Sequence, residues 1–160
     1  LWLKHPEWPI LHVVCRSVID IKECVIHRNI HLYQYEIDRG ELQRLREKCS
    51  YHICASFCEG FGHYINEGRG VGACVITTDA PPMNELVSNQ DGFLVKYHSM
   101  KRVGSLGTGY DILESDMEKT ILDVLHSNTT TVTRKREKSF ARSRVEAEYF
   151  SKKMYTIFNG

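Results

Sequence analysis

The sequence predicts an α/β fold, in which a parallel sheet is covered by helices on both faces. Short apolar runs rich in β-branched residues recur along the chain, and charged amphipathic stretches separate them. This alternation and spacing are typical of βαβ units, whose crossover helices cover a parallel sheet. A length of 160 residues suits one domain with an ordinary core, so we expect residues 1–160 to form a single domain.

The first part of the chain is predicted to form three strands and one helix. "PILHVVC" at 9–15 is a continuous apolar run, which suits a strand buried on both faces. "NIHLYQYEI" at 29–37 alternates between apolar and polar residues, and "YHICASF" at 51–57 is again rich in strand-forming residues. Between them, "RGELQRLREKC" is a charged amphipathic helix for which Asp38 is a suitable N-cap.

The second part of the chain continues the alternation. "ACVITTD" at 73–79 and "DGFLVKY" at 91–97 are typical of strands, and "PPMNELVSNQ" at 81–90 suits a short helix that begins after prolines. Residues 98–110, "HSMKRVGSLGTGY", have no periodicity and contain several glycines, which predicts a loop or insertion. An amphipathic helix follows at "ESDMEKTILDVLHSN", and a basic C-terminal helix is predicted at 134–158.

Composition argues against several classes of protein. Hydrophobic residues make up 42% of the chain and charged residues 26%, an ordinary globular mixture, and a net charge of +1 argues against nucleic acid as a partner. No apolar run approaches the ~20 residues of a membrane-spanning helix, and the first residues do not resemble a signal peptide. Six cysteines without paired spacing indicate free thiols, which predicts a reducing compartment and a cytoplasmic location.

The stretch "EGFGHYINE" at 59–67 carries the strongest chemical pattern. It follows a predicted strand, and a doubly wound sheet binds its ligands outside the carboxyl ends of its strands. Gly60 and Gly62 leave backbone amides open at a helix start, which suits an anionic group such as a diphosphate. On an ideal helix Glu59 and Glu67 would lie about 80° apart and roughly 12 Å along the axis, about the span of an extended nucleotide-sugar. The two glutamates alone also fit a solvated helix face.

The same stretch, followed by "GRGVGACVITTDAPPMNELV" and then "DGFLV", resembles the signature of the family-four glycosyltransferases, a retaining GT-B group. Their pattern is a serine-bearing strand end, E-G-F-G, a second glutamate eight positions after the first, and two further strands, and these parts occur in order over residues 56–95. The resemblance implies the C-terminal, Rossmann-like half of a GT-B fold without its first strand. Because the chain lacks an initiating methionine, we expect a fragment, with an acceptor-binding N-terminal domain and a basic diphosphate-binding loop preceding residue 1.

The resemblance also implies roles for individual residues. Glu59 would face the donor sugar at the reacting centre, and Glu67 would bind the ribose hydroxyls. Four residues would bind the sugar and the distal phosphate through their backbone amides: Gly60, Phe61, Gly62 and His63. Glu85 would contact the donor sugar, and the loop at Glu36 and Ile37 would frame the base. The whole enzyme would transfer a hexose from a nucleotide diphosphate sugar to a saccharide or other hydroxyl acceptor, with retention and without a bound metal or cofactor.

Other interpretations stay open at this point. A catalytically incomplete nucleotide-sugar-binding half that needs a partner would have the same fold, as would an interaction module without a ligand. Cys24, His27 and His31 have a spacing that zinc sites use, although no fourth ligand is evident. The basic run "TRKREK" is either a solvated helix start or a peripheral membrane contact, and this chain alone is expected to be inactive.

Overall fold

Strands and helices alternate along the chain in the computed structural model, which describes residues 1–15, 27–34, 37–104 and 107–159. The chain forms two compact units, Leu1–Leu45 and Arg46–Gly160. Within the described ranges, every helix is too short or too polar to cross a lipid bilayer.

The first unit contains a parallel pair of strands. β1 (Leu11–Cys15) pairs with β2 (Ile30–Gln34) over five residue pairs, at the positions where the sequence predicts strands. The next element, α1 (Arg39–Lys48), begins directly after Asp38. The carboxylate of Asp38 accepts a hydrogen bond from the backbone N–H of Gly40 at 2.8 Å, so the predicted N-cap is confirmed.

The second unit is built on a parallel sheet with the strand order β3-β4-β5. Its strands are β3 (Tyr51–Cys54), β4 (Cys74–Thr78) and β5 (Gly92–Val95). The helices described in this unit are α2 (His63–Gly70), α3 (Met83–Leu86), α4 (Glu114–His126) and α5 (Thr129–Asn159).

The central strand β4 is buried along its whole length because helices cover both faces of the sheet. Successive residues of a strand point to opposite faces. Val75 belongs to a buried cluster with Ile65 of α2 and Met83 of α3, whereas Ile76 belongs to a cluster with Val124 of α4. The predicted fold class, a parallel sheet with helices on both faces, is therefore confirmed.

The prediction of a loop at 98–110 is wrong, because this stretch forms most of an antiparallel hairpin. Its strands are β6 (Tyr97–Val103) and β7 (Gly107–Ile112). A glycine that suggests a loop has a packing role here: a Cβ added at Gly109 would lie only 2.1 Å from the ring of Phe57. Glycine in a strand often marks such a close approach. Sequence periodicity does not reveal it, because the two residues are far apart in the chain.

The C-terminal helix α5 begins earlier than the predicted helix at 134–158 and includes all of that range. Part of its basic run faces the protein. Lys135 Nζ donates a hydrogen bond to the carbonyl of Gly92 at 2.9 Å, and Arg136 Nε donates one to the carbonyl of Gly72 at 2.7 Å. These two cations therefore attach α5 to the sheet and to the end of α2, so the run is more than a solvated helix start.

Candidate functional site

The loop between β3 and α2 brings the predicted motif to the carboxyl edge of the sheet. Gly62 is the N-cap of α2 and has a left-handed backbone, with φ 72° and ψ 44°. Since α2 begins only at His63, Glu59 lies in the loop and not on the helix. The expected ideal-helix separation between Glu59 and Glu67 is therefore wrong, because the left-handed residue turns the chain before the helix starts.

Glu59 is held by hydrogen bonds from its own loop. Its Oε1 accepts the backbone N–H of Gly60 at 3.0 Å and that of Gly62 at 3.2 Å, while Oε2 accepts the Ser56 hydroxyl at 3.3 Å. Burial raises the pKa of this carboxyl, but hydrogen bonds from the Tyr64 hydroxyl and the other donors outweigh burial and hold the pKa below its usual range. Glu59 is therefore an ionised, pre-oriented hydrogen-bond acceptor at neutral pH.

The four backbone amides expected to bind the donor are not all available in the structure. Two of them, the amides of Gly60 and Gly62, are bonded to Glu59. Within the described part of the chain, the amides of Phe61 and His63 donate no hydrogen bond. These two amides lie at the positive end of α2, where an anionic group is favoured.

Glu67 lies on α2 with its side chain 44% exposed. Its Oε2 pairs with Arg46 Nη2 at 2.5 Å. A carboxylate has about four acceptor positions, so this ion pair orients Glu67 and leaves room for further hydroxyl donors. The sequence did not point to Arg46 as its partner.

The other predicted site residues lie in different places. Glu85 is exposed on α3 and borders a cavity of about 790 Å³ together with Gly60 and Phe61. Ile37 is half-buried in the first unit, between β2 and α1. Glu36 lies outside the described residues, as does Cys24 of the open zinc alternative. Among the residues that the structure describes, no three histidine, cysteine or acidic side chains are grouped to hold a metal ion.

A charged network that sequence reasoning missed connects α2 to α5. Arg69 of α2 is fully buried, and its Nη2 donates to Glu146 Oε2 at 2.7 Å. Glu146 also accepts from Arg142 Nε at 2.8 Å, and Arg142 Nη1 pairs with the buried Asp91 at 3.0 Å. Arg69 and Glu146 are 77 positions apart, so no local spacing indicates their pairing. The network fixes the helix that carries Glu67 against α5.

Comparisons with known proteins give matches at the level of structure. No protein-family model matches the sequence, and no curated protein matches it. The pneumococcal O-GlcNAc transferase GtfA, solved with UDP and GlcNAc, superposes with a TM-score of 0.65 and 18% identity over 99% of this chain and 31% of its own. HepE from Anabaena, solved with UDP-glucose, has a TM-score of 0.61 and 16% identity over 86% of this chain and 37% of its own.

A third solved structure is itself a C-terminal domain, from LpcC of Francisella tularensis, a group 1 family glycosyltransferase. Its TM-score is 0.54 with 20% identity, over 76% of this chain and 55% of that domain. The chain has the fold of a GT-B C-terminal domain. It spans between 31% and 55% of the length of these three solved chains.

Proposed function

We propose that the chain is the nucleotide-sugar-binding domain of a retaining family-four glycosyltransferase. The observation that carries the proposal is the Glu59–Gly62 loop, which leads from the carboxyl end of β3 into α2 and presents an ionised carboxylate beside open helix amides. Ligands of open α/β sheets bind at this edge. The likeness to solved transferase structures supports the fold on which the proposal rests.

Different residues of the loop would bind the sugar and the phosphates of the donor. The Glu59 carboxylate, held by Gly60, Gly62 and Ser56, faces the donor sugar and helps to position it at the reacting centre. The open amides of Phe61 and His63 face the phosphates, and the helix end stabilises the charge that develops on the departing diphosphate without a metal. The acceptor oxygen then bonds to the sugar carbon on the face from which the diphosphate leaves, its proton passes to the departing diphosphate oxygen, and the configuration is retained.

The nucleoside end of the donor follows α2. Glu67, oriented by Arg46, accepts hydrogen bonds from the ribose hydroxyls. Glu36 and Ile37 frame the base, and Glu85 contacts the sugar. A further domain of the whole enzyme would supply most of the acceptor site. Free thiols at all five described cysteines support a reducing, cytoplasmic compartment.

Calorimetric titration with UDP, GDP and their sugars tests the proposal. At least one nucleotide should bind the wild-type chain, and Glu67→Ala should weaken this binding by about 1–3 kcal/mol, roughly fivefold to 150-fold, through loss of a charged hydrogen-bond partner. Glu148→Ala is the matched control, since it removes an exposed glutamate from α5. Loss of the exposed Arg46–Glu67 pair should cost less than about 1 kcal/mol of stability, so circular dichroism should find both variants folded.

Two results would count against the proposal. Equal nucleotide affinity in wild type and Glu67→Ala would contradict the proposed binding of the ribose hydroxyls by Glu67. If no nucleotide bound, and the full-length protein transferred no sugar from any nucleotide donor, an interaction module without a ligand would be the better account of the fold.

A further inference from the structure

A cavity of about 790 Å³ adjoins the Glu59 loop within the second unit. Gly60 and Phe61 form one wall, α2 and the α3 region form the next, and α5 closes the far side. A volume of this size is typical of small-molecule sites, which span about 300–1,000 Å³. None of the roles proposed above for the nucleotide-sugar uses the α5 wall.

Three of the residues that line the cavity are phenylalanines with exposed side chains. Phe61 is 64% exposed, Phe150 59% and Phe140 38%, although all three border the same cavity. Leu86 adds an aliphatic side chain. Such a group of exposed apolar surfaces often marks a binding site, because covering it removes apolar area from water.

Two of the polar side chains in the walls already have hydrogen-bond partners. Glu146 accepts hydrogen bonds from both Arg69 and Arg142, so its charge is compensated. The Asn66 side chain is also engaged, because its oxygen accepts from Arg69 and its amide donates to the carbonyl of Phe61 at 3.4 Å. The part of the cavity beside the phenylalanine side chains is therefore complementary to an uncharged apolar group, and burying an ionised ligand there would carry a desolvation penalty.

Two charged groups that border the cavity stay available for hydroxyls. The Arg144 guanidinium lies 5.9 Å from the ring centroid of Phe140, and no carboxylate among the described residues pairs with it. Glu85 uses its backbone carbonyl to bind Arg142, which leaves its carboxylate as an acceptor. A ligand with a hydroxylated head and an apolar tail matches this arrangement.

We propose that this cavity binds the apolar aglycone of the acceptor, so that the acceptor is a neutral glycoside or alcohol with an alkyl chain. The inference rests on the proposed function, because Gly60 and Phe61 belong both to the cavity and to the loop whose Glu59 faces the donor sugar. In this proposal an alkyl chain lies beside Phe140 and Phe150, and the hydroxyls attached to it face the loop at Gly60 and Phe61. The donor-binding domain thus contributes directly to acceptor choice.

The test compares n-octyl β-D-glucoside, kept below its micelle-forming concentration, with D-glucose. Binding to the wild-type chain is followed by nuclear magnetic resonance of the phenylalanine rings, and UDP is titrated in parallel. Octyl glucoside should bind at least about tenfold more tightly than glucose, and Phe150→Ala should weaken it by about tenfold or more, as expected for loss of a buried phenylalanine contact. UDP affinity should not change.

Phe158→Ala is the matched control, because Phe158 lies on the same helix, is 75% exposed and does not line the cavity. It should leave octyl glucoside binding unchanged. Equal losses in the two variants would mean adsorption along α5 and would overturn the proposal. So would a wild-type dimer, seen by sedimentation velocity, that Phe150→Ala dissociates, since a second copy would then occupy the cavity.

The UDP titration separates this inference from the proposed function. If UDP binds but octyl glucoside does not, the acceptor inference fails and the donor-binding proposal stands. If octyl glucoside binds selectively and UDP does not, the cavity is a ligand site but its assignment to a glycosyl acceptor fails together with the proposed function.

Discussion

Replacement of Gly62 by alanine tests the backbone turn on which the candidate site depends. Gly62 has a φ of 72°, and a Cβ built there would lie 2.4 Å from Leu86 Cδ1. The left-handed conformation costs an alanine about 1–2 kcal/mol. Overpacking typically adds 1–3 kcal/mol, here nearer about 1 because the end of the Leu86 side chain is able to rotate. Together these effects predict that Gly62→Ala lowers the free energy of unfolding by about 2–3 kcal/mol.

Gly60→Ala provides a matched control two positions earlier in the same loop. Nothing lies within 4 Å of a Cβ at Gly60, and its backbone is not left-handed. We therefore expect a change of no more than about 0.5 kcal/mol, as for an ordinary surface substitution. Urea unfolding followed by far-ultraviolet circular dichroism should show a lower midpoint for Gly62→Ala by about 1 M or more, given typical slopes of about 1–3 kcal/mol per molar urea. If the two alanine variants unfold at the same urea concentration, the assigned conformation of the turn is incorrect.

Three further predictions address the charges and thiols around the site. Glu146→Ala leaves the fully buried Arg69 without its carboxylate partner. Because Glu146 is 43% exposed, we expect the free energy of unfolding to fall by about 2–3 kcal/mol, less than the roughly 3–5 kcal/mol for breaking a fully buried pair. A decrease under about 1 kcal/mol in urea unfolding would contradict this. Burial raises the pKa of the Glu59 carboxyl, but its hydrogen bonds outweigh burial and hold the native pKa below that of the unfolded chain. The stabilising contribution of Glu59 is therefore present above the unfolded-state pKa and is lost as the pH falls through the native pKa. Glu59→Gln should reduce the acid sensitivity of the unfolding midpoint, and identical pH profiles would argue against the hydrogen bonds to the carboxylate. Burial raises the pKa of the Cys54 thiol to about 12, whereas Cys58 is exposed. Iodoacetamide at mildly alkaline pH should therefore label Cys58 and leave Cys54 unmodified in the folded chain, as measured by mass spectrometry. Equal labelling of the two cysteines would mean that the β3 strand opens.

Much of the secondary structure could be predicted from local patterns. Continuous or alternating apolar runs predicted strands where β1 to β5 occur, and Asp38 predicted the start of α1. These predictions succeed because strand and helix periodicity are properties of neighbouring residues. The hairpin of β6 and β7 could not be predicted in this way, because it depends on long-range packing, such as that of Gly109 on Phe57.

The candidate site was predicted only in part. The motif placed Glu59 and the glycines at a strand-to-helix loop, and the structure has them there. The sequence suggested that the glycine amides were open, whereas Glu59 occupies two of them. Side-chain conformation decides this, and a motif describes residue types and spacing without specifying rotamers. The cavity beside Phe150 was not predicted either, because α5 reaches the loop only in the folded chain.

The sequence by itself determined the order of β1 to β5 and of the helices, and the position of the glutamate–glycine motif, because these follow from interactions between residues close together in the chain. Tertiary structure decided that Glu59 binds its own loop, that Arg46 orients Glu67, and that the buried Arg69 finds its carboxylate on α5. These partners meet only when distant segments pack, and the free energy of pairing a buried charge depends on that packing. The motif therefore indicates which chemistry is available, and the fold sets the geometry in which it acts.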